Sequence, residues 1–110
     1  MKTAMRAGLV FAAVMAALST WSSAPASAAT IQVTIDKVAY GPANISARVG
    51  DTIEWSNNDF VGHTATNRDK SWDFLILPKK KQTLTLKKAG EIDYYCKFHP
   101  NMKGHISVKE

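Results

Sequence analysis

The feature that most constrains this 110-residue chain is a short segment near its C-terminus, in which Cys96, His99 and Met102 follow one another at intervals of three residues. This spacing places a thiol, an imidazole and a thioether in one loop. A trigonal set of two histidines and one cysteine, with a long and weak bond to an axial methionine, is typical of blue copper sites. Such a site needs a second imidazole, and His63, 33 residues before Cys96, is the candidate. The fold must therefore bring two distant segments together.

The N-terminus has the pattern of a secretory signal peptide. Two basic residues precede an apolar run over residues 7–18, and a small-residue segment with Ala-x-Ala patterns follows over residues 24–28. The run is shorter than an ordinary membrane span, and we expect no span in the mature protein. We predict cleavage after Ala28, with Ala26 as the alternative, which leaves residues 29–110 as one small exported domain.

Loss of residues 1–28 would leave one cysteine, Cys96, and one methionine, Met102. A single cysteine cannot form an internal disulfide, so Cys96 is a buried filler, a reactive thiol, half of an intermolecular bridge or a metal ligand. An unprotected thiol is vulnerable in the oxidising compartments that exported proteins reach. Metal binding explains why the thiol is both present and solitary, and a metal bound only by the folded state would stabilise a small domain.

Apolar and polar residues alternate along most of residues 29–110, which predicts β-strands and no helix. The alternating sets are Ile31-Val33-Ile35, Ile45-Ala47-Val49, Ile53-Trp55, Leu84-Leu86, Ile92-Tyr94-Cys96 and Ile106-Val108, with a short apolar run at 74–77. Many short strands with frequent turn signals indicate an antiparallel sandwich or barrel. Residues 57–71 are predicted to be irregular, so that His63 would be presented from a loop or a strand edge. His105 shares the parity of polar positions and is predicted to lie on the surface, outside the metal site.

The charge balance predicts a basic domain. The precursor has 14 basic and nine acidic residues, and loss of Lys2 and Arg6 leaves 12 and nine, a net charge of +3. The excess is concentrated at residues 79–81 and 87–88. These lysines are either a solvated surface or the source of a field that steers an acidic redox partner, whose association would then weaken with salt. We expect no nucleic-acid partner because no recognition motif is present.

The C-terminal loop resembles the ligand loop of small bacterial cupredoxins, and that of amicyanins most of all. The motif Cys-x-x-His-Pro-x-Met at residues 96–102, followed by Lys-Gly and a terminal strand, carries the resemblance. The segment 49–55, with Asn57, is similar to the cupredoxin strand that leads to the first ligand histidine, which matches His63. Together these matches cover about residues 31–110.

The resemblance implies an all-β fold, a Greek-key β-sandwich of about eight strands. It implies one type 1 copper ion, Cu(I) or Cu(II), with His63, Cys96, His99 and Met102 as its ligands. It also implies a periplasmic carrier of single electrons between transient redox partners, with a dehydrogenase as donor and a cytochrome as acceptor. We expect a monomer without catalytic residues of its own.

The resemblance further assigns residues around the copper ligands. His99 is the expected electron port, and Phe98 and Pro100 flank it on the docking surface. Relatives have an asparagine after the first ligand histidine, which ties the two ligand loops together. This chain has Thr64 there, and we expect Thr64 and Asn57 to support the ligands.

Other function classes fit the pattern less well. A periplasmic copper carrier or storage protein is expected to expose Met- or His-rich clusters, which residues 29–110 lack. A copper or zinc enzyme needs an open coordination position and a pocket with acid or base residues, and no such constellation is evident. In a purely structural sandwich, Cys96 would be a small buried hydrophobe and Met102 a gap filler. Their joint occurrence with two histidines favours copper.

Overall fold

The structure is a computed structural model that describes residues 27–110. The signal peptide predicted at residues 1–28 lies outside the described residues except for its last two positions. Within the described range every regular element is a β-strand, as the alternation predicts, and no helix there is long and apolar enough to cross a membrane. The strands are β1 (Thr30–Asp36), β2 (Ala39–Gly41), β3 (Asn44–Arg48), β4 (Thr52–Asn57), β5 (His63–Asn67), β6 (Asp73–Ile76), β7 (Lys81–Thr85), β8 (Gly90–Tyr95) and β9 (Lys103–Lys109).

The strands form two sheets that pack face to face as a β-sandwich. One sheet has the order β2-β1-β4-β7 and the other the order β3-β9-β8-β5-β6. Most neighbours are antiparallel, whereas β1 with β4 and β3 with β9 run parallel. The predicted all-β sandwich is confirmed. It has nine strands where about eight were expected. The sequence pattern accounts for seven of them, and the other two are β2, which is too short to show any alternation, and β5.

The core lies where the alternation places it, between the two sheets. Its fully buried residues include Val33, Ile35, Ile53, Trp55, Tyr94, Cys96 and Ile106. One position differs from the prediction. Val49 shares the parity of Ile45 and Ala47 but is exposed, because β3 ends at Arg48 and the chain turns at Gly50, whose φ is 98°. Alternation predicts which side chains face the core only for residues within the strand.

The prediction of irregular structure over residues 57–71 is wrong for its middle part, where β5 forms. All five residues of β5 are buried, although His-Thr-Ala-Thr-Asn has no alternation of bulky apolar side chains. Its burial comes from its neighbours β6 and β8, which pair with it on either side. Because β8 leads directly into Cys96, this pairing brings His63 to the same end of the sandwich as the C-terminal loop.

His105 faces outward from β9, as its parity predicts, and its ring contacts two carboxylates of β8. Its Nδ1 lies 2.7 Å from Oδ1 of Asp93 and its Nε2 lies 2.6 Å from Oε2 of Glu91. The Ser107 hydroxyl also donates to Glu91, at 2.9 Å. Hydrogen bonds to Asp93 and Glu91 raise the pKa of His105, and those from Ser107 and His105 lower the pKa of Glu91. The protonated ring therefore ties β8 to β9.

This contact predicts a stability that falls as the pH rises above about 6.5, the ordinary pKa of histidine. A pKa raised by folding means that the folded state holds the proton more tightly. The contribution is therefore complete below the unfolded pKa and is lost as the pH passes through the folded pKa. The lowered pKa of Glu91 acts separately, near and below its ordinary value of 4.5. The urea midpoint should decrease more for the wild type than for His105→Asn when the pH is raised from below 6.5 to above the folded pKa of His105. Equal decreases would contradict the stabilising role assigned to His105.

Candidate metal centre

Three of the side chains predicted as ligands meet at one end of the sandwich. His63 begins β5, and Cys96 and His99 lie in the loop between β8 and β9. The Cys96 sulfur lies 3.8 Å from Nδ1 of His63 and 3.7 Å from Nδ1 of His99. All three ligand atoms lie within 4.8 Å of one another. Metal bonds of about 2.0 Å to nitrogen and 2.3 Å to sulfur, at an angle of about 120°, separate the two atoms by about 3.7 Å. The spacing therefore suits one ion in a trigonal plane.

The C-terminal loop closes on itself through its own backbone. Cys96 N donates to the carbonyl of Met102 at 3.1 Å, Met102 N donates to the carbonyl of His99 at 2.8 Å, and His99 N donates to the carbonyl of Cys96 at 3.3 Å. These hydrogen bonds hold Cys96, His99 and Met102 in one compact loop. Cys96 and Met102 are buried and His99 is half-buried, so the arrangement opens towards solvent only on the side of His99.

Thr64 connects the two segments that carry the ligand atoms. Its backbone N–H donates to the Cys96 sulfur at 3.3 Å, and its Oγ1 accepts a hydrogen bond from the Lys97 backbone N–H at 2.8 Å. The same Oγ1 lies 2.9 Å from Oγ1 of Thr66, which donates to Asp73 at 2.8 Å. Thr64 thus bridges the loops with a hydroxyl, at the position where the resemblance places an asparagine.

Replacing Thr64 with valine should lower the free energy of unfolding by about 1–3 kcal/mol, because the Lys97 N–H and the Thr66 hydroxyl then lose a buried partner. The matched control is Thr85→Val, which removes an exposed contact of 3.1 Å with Thr52 and should change stability by less than about 0.5 kcal/mol. Urea unfolding of the metal-free proteins measures both. Equal losses of stability in the two variants would show that the Thr64 hydroxyl stabilises the fold no more than an exposed hydroxyl does.

Sequence reasoning missed Asp59. Its Oδ2 lies 2.7 Å from Nε2 of His63, and the carboxylate also accepts hydrogen bonds from the backbone N–H groups of Lys37 and Val38, at 2.8 and 3.0 Å. The Val38 N–H, with His63 and the Lys37 N–H, holds the pKa of Asp59 below its ordinary value against the opposing effect of desolvation. A carboxylate at Nε2 keeps a proton there and leaves Nδ1 free to bind a metal. Its place four residues before His63 was the only signal in the sequence.

Asn57 supports the same histidine from beneath the loop at residues 58–62. Its Nδ2 donates to the carbonyls of Val61 and Ile76 at 2.9 and 3.0 Å, and its Oδ1 accepts from the backbone N–H of Asp59 at 2.9 Å. The loop is therefore held against the end of β6. Asn57 acts on His63 through the loop and through Asp59.

The hydroxyl groups of two large aromatic side chains next to the centre have raised pKa values. Burial, then the nearby Cys96, raises the pKa of the Tyr40 hydroxyl, which donates to the carbonyl of Thr64. Burial raises the pKa of Tyr94 to about 12. Neither phenol ionises at neutral pH, so both serve as hydrogen-bonding and packing groups.

Comparison with known proteins gives this arrangement a family. Residues 8–108 match a family model described as a cupredoxin-like domain. The chain belongs to the cupredoxin family. Among cupredoxin relatives, amicyanin from Paracoccus denitrificans is 31% identical over an alignment of 97 positions, gaps included, which covers 83% of this chain and 74% of the relative. Chloroplastic plastocyanin from Tetradesmus obliquus is 29% identical over an alignment of 124 positions, gaps included, which covers 98% of this chain and 81% of the relative.

Solved structures agree with the sequence comparison. A Cu(I) form of an amicyanin variant has a TM-score of 0.65 and 27% identity, and the match covers 73% of this chain and 82% of that one. The predicted resemblance to amicyanins is therefore confirmed. The donor set of this cupredoxin, one thiolate and two imidazoles at trigonal spacing, fits one type 1 copper ion, as predicted.

Proposed function

We propose that this cupredoxin is a periplasmic carrier of single electrons, in which His63, Cys96, His99 and Met102 would hold the copper ion. The proposal rests on the distances from the Cys96 sulfur to Nδ1 of His63 and of His99, 3.8 and 3.7 Å, which suit three ligands around one ion. A thiolate and a thioether suit Cu(I), whereas imidazole nitrogen suits Cu(II). A donor set that contains both kinds of ligand would serve both oxidation states. The signal peptide predicted at residues 1–28 supports the periplasmic location.

Bound copper supplies a reversible one-electron couple. The residues of this chain keep the ligand atoms nearly still while the charge changes. Asp59 holds His63 by its outer nitrogen, and the Thr64 N–H holds the Cys96 sulfur. The buried β-sandwich behind them resists displacement because protein interiors are closely packed. Small displacements mean a small reorganisation cost, which is what fast electron transfer needs.

His99 is the proposed electron port. Its ring is half-buried, and it lies 5.0 Å from the ring of His63, measured between centroids. Phe98 and Pro100 on either side are exposed. Transfer through the open edge of the ring requires only a short-lived contact with a partner. Small, transient interfaces are usual for electron-transfer proteins, which accords with a monomeric shuttle.

We propose no catalytic residue. A cavity of about 520 Å³ opens between the sheets at the other end of the sandwich, and its lining includes Trp72, Leu84 and Leu86. This cavity does not adjoin the metal centre, so it does not provide a substrate pocket there.

Copper delivery is the second candidate function. It is disfavoured because His63, Cys96 and Met102 are all buried, and a protein that hands on its metal needs ligands that a recipient can reach.

Addition of Cu(II) to the purified domain should produce an intense blue absorption band and a reversible one-electron couple by voltammetry. Cys96→Ser should lose the band, because the thiolate is the soft ligand of the plane. A colourless complex that releases its copper readily to a chelator would overturn the proposal and favour copper delivery.

A further inference from the structure

The end of the sandwich opposite the metal centre holds a carboxylate that receives the start of the first strand. Asp51, in the turn between β3 and β4, is only 9% exposed. Its Oδ1 accepts a hydrogen bond from the Ala29 backbone N–H at 2.9 Å, and its Oδ2 accepts one from the Arg48 backbone N–H, also at 2.9 Å. One carboxylate oxygen is therefore used by the residue that immediately precedes β1.

The backbone around Asp51 fixes the position of this carboxylate. Asp51 N donates to the carbonyl of Arg48 at 3.0 Å, and Leu86 N donates to the carbonyl of Asp51 at 2.8 Å. Gly50 N donates in turn to the carbonyl of Leu86 at 2.7 Å. The turn between β3 and β4 is thus bonded both to itself and to the residue that follows β7. The carboxylate is held in place by contacts that do not involve the start of the chain.

Ala29 is bonded through both of its backbone groups. Its N–H donates to Asp51, and its carbonyl accepts a hydrogen bond from Thr52 N at 2.9 Å. The next residue begins β1. The two described residues before it, Ser27 and Ala28, are exposed, and no backbone hydrogen bond joins either of them to the rest of residues 27–110. Within the described part of the chain, the hydrogen-bonded structure therefore starts at Ala29.

The Asp51 carboxylate has no side-chain cation in direct contact. Within residues 27–110, no Lys, Arg or His nitrogen lies within 4.0 Å of it. The Arg48 guanidinium donates instead to the carbonyl of Glu110 at 3.0 Å. Hydrogen bonds from the Ala29 and Arg48 N–H groups, with a smaller effect of the Arg48 charge, hold the pKa of Asp51 below its ordinary value against desolvation. A largely buried, ionised carboxylate is stabilised further when a cation is placed beside it.

The sequence places a candidate cleavage site directly before Ala29. The small-residue pattern at 24–28 leaves two positions open, after Ala26 and after Ala28. Cleavage after Ala28 would turn the nitrogen of Ala29 into an α-amino group, which has an ordinary pKa of about 8 and is mostly protonated at neutral pH. Cleavage after Ala26 would place that charge two residues away, and the nitrogen of Ala29 would remain a neutral amide.

We propose that a signal peptidase cleaves the chain between Ala28 and Ala29, and that Asp51 binds the α-ammonium group which this cleavage creates. Hydrolysis adds one water molecule across the peptide bond, leaving a carboxylate on Ala28 and the amine on Ala29. The contact of 2.9 Å then joins two ions, and such hydrogen bonds are stronger than those from neutral donors. Removal of the signal peptide thereby stabilises the exported domain. The inference does not involve the metal centre, so its failure would leave the proposed electron carriage standing.

The first test is the intact mass of the protein that a Gram-negative bacterium exports from the full chain. We expect the periplasmic protein to have the mass of residues 29–110. Ala28→Phe should abolish cleavage at this bond because a small residue is needed before it, whereas Ser27→Phe should leave the cleavage unchanged. A mass that begins at Ser27, an uncleaved wild-type chain, or normal processing of Ala28→Phe would overturn the proposal.

The second test measures the ion pair separately from the cleavage. All nine strands lie within residues 30–109, so a chain that begins at Ala29 and one that begins at Ser27 both contain the whole sandwich. The two chains have the same net charge and differ in whether the α-ammonium group lies beside Asp51. Without metal, the chain from Ala29 should melt about 3 °C or more above the chain from Ser27. Equal melting temperatures would refute the binding of the amine by Asp51.

Asp51→Asn should abolish the difference between the two chains, because the ammonium group then meets a neutral amide. The matched control is Asp69→Asn, which removes a carboxylate that accepts a hydrogen bond from the Ser71 N–H in another turn and should leave the difference intact. If Asp51→Asn does not fold, N-acetylation of the chain from Ala29 makes the same comparison. Acetylation restores a neutral amide at that nitrogen and should lower the melting temperature to that of the chain from Ser27. A difference that survives Asp51→Asn, or acetylation without effect, would overturn the proposal.

Discussion

Gly104→Ala should lower the free energy of unfolding by about 3 kcal/mol or more, a large part of the stability of a small domain. Gly104 lies directly opposite Tyr94 in the register of β8 and β9, and the Tyr94 ring lies over it. A Cβ at Gly104 would overlap the ring and its hydroxyl oxygen. The ring cannot move aside, because it is fully buried and packs against Tyr40 and Trp55, at centroid distances of 4.6 and 5.5 Å.

Urea unfolding of the metal-free protein measures this effect without the contribution of copper. Gly62→Ala is the matched control. A Cβ there would meet only a methyl group of Leu75, at an ordinary contact distance of 3.9 Å, and should change stability by less than about 1 kcal/mol. Similar losses at Gly104 and Gly62 would mean that Tyr94 can relax, contrary to the packing argument.

Asp59→Asn should weaken copper binding by roughly 10–100-fold and raise the reduction potential. The carboxylate accepts a hydrogen bond from the Nε2–H of His63, which would make the ring a better donor through Nδ1 and stabilise Cu(II) more than Cu(I). An amide is a weaker acceptor and is free to turn its NH₂ group towards the ring. Competition with a chelator gives the affinity, and voltammetry gives the potential.

Asp59 also anchors the turn at Lys37 and Val38, so the substitution should cost some stability as well. If Asp59 had only a structural role, Asp59→Asn would leave the reduction potential unchanged. The control is Asp69→Asn, which removes another turn carboxylate, one that accepts a hydrogen bond from the Ser71 N–H at 2.8 Å and lies after β5, away from the metal centre. An unchanged potential in Asp59→Asn, as in Asp69→Asn, would exclude the role assigned to the carboxylate.

Much of the centre was predictable because its chemistry is local. The thiol, the imidazole of His99 and the thioether lie within seven residues, so no tertiary information was needed to group them. His63 could be added because histidines are few in this chain. The inward parity of Tyr94 and Cys96 followed from alternation along one strand. In each case the signal depended on spacing that the backbone preserves.

Other features depended on strand pairing, which the alternation of residues along one strand does not reveal. β5 has no alternating pattern and is recognisable only between β6 and β8. Asp59 reaches His63 because Asn57 folds the intervening loop back against β6. Exposed apolar side chains from the loop at residues 58–62, from β6 and from the C-terminal loop lie together at the metal end, and of these only Phe98 was singled out from the sequence.

By itself, the sequence determined the types and order of the candidate ligands and the all-β character of the chain, since these depend on residue identity and on contacts a few positions apart. Only the tertiary structure decided which carboxylate holds His63, which hydroxyl joins the ligand segments, and which exposed side chains share a surface with His99. Those relations are set by the register between strands far apart in the chain, where a shift of one residue would turn every side chain to the opposite face.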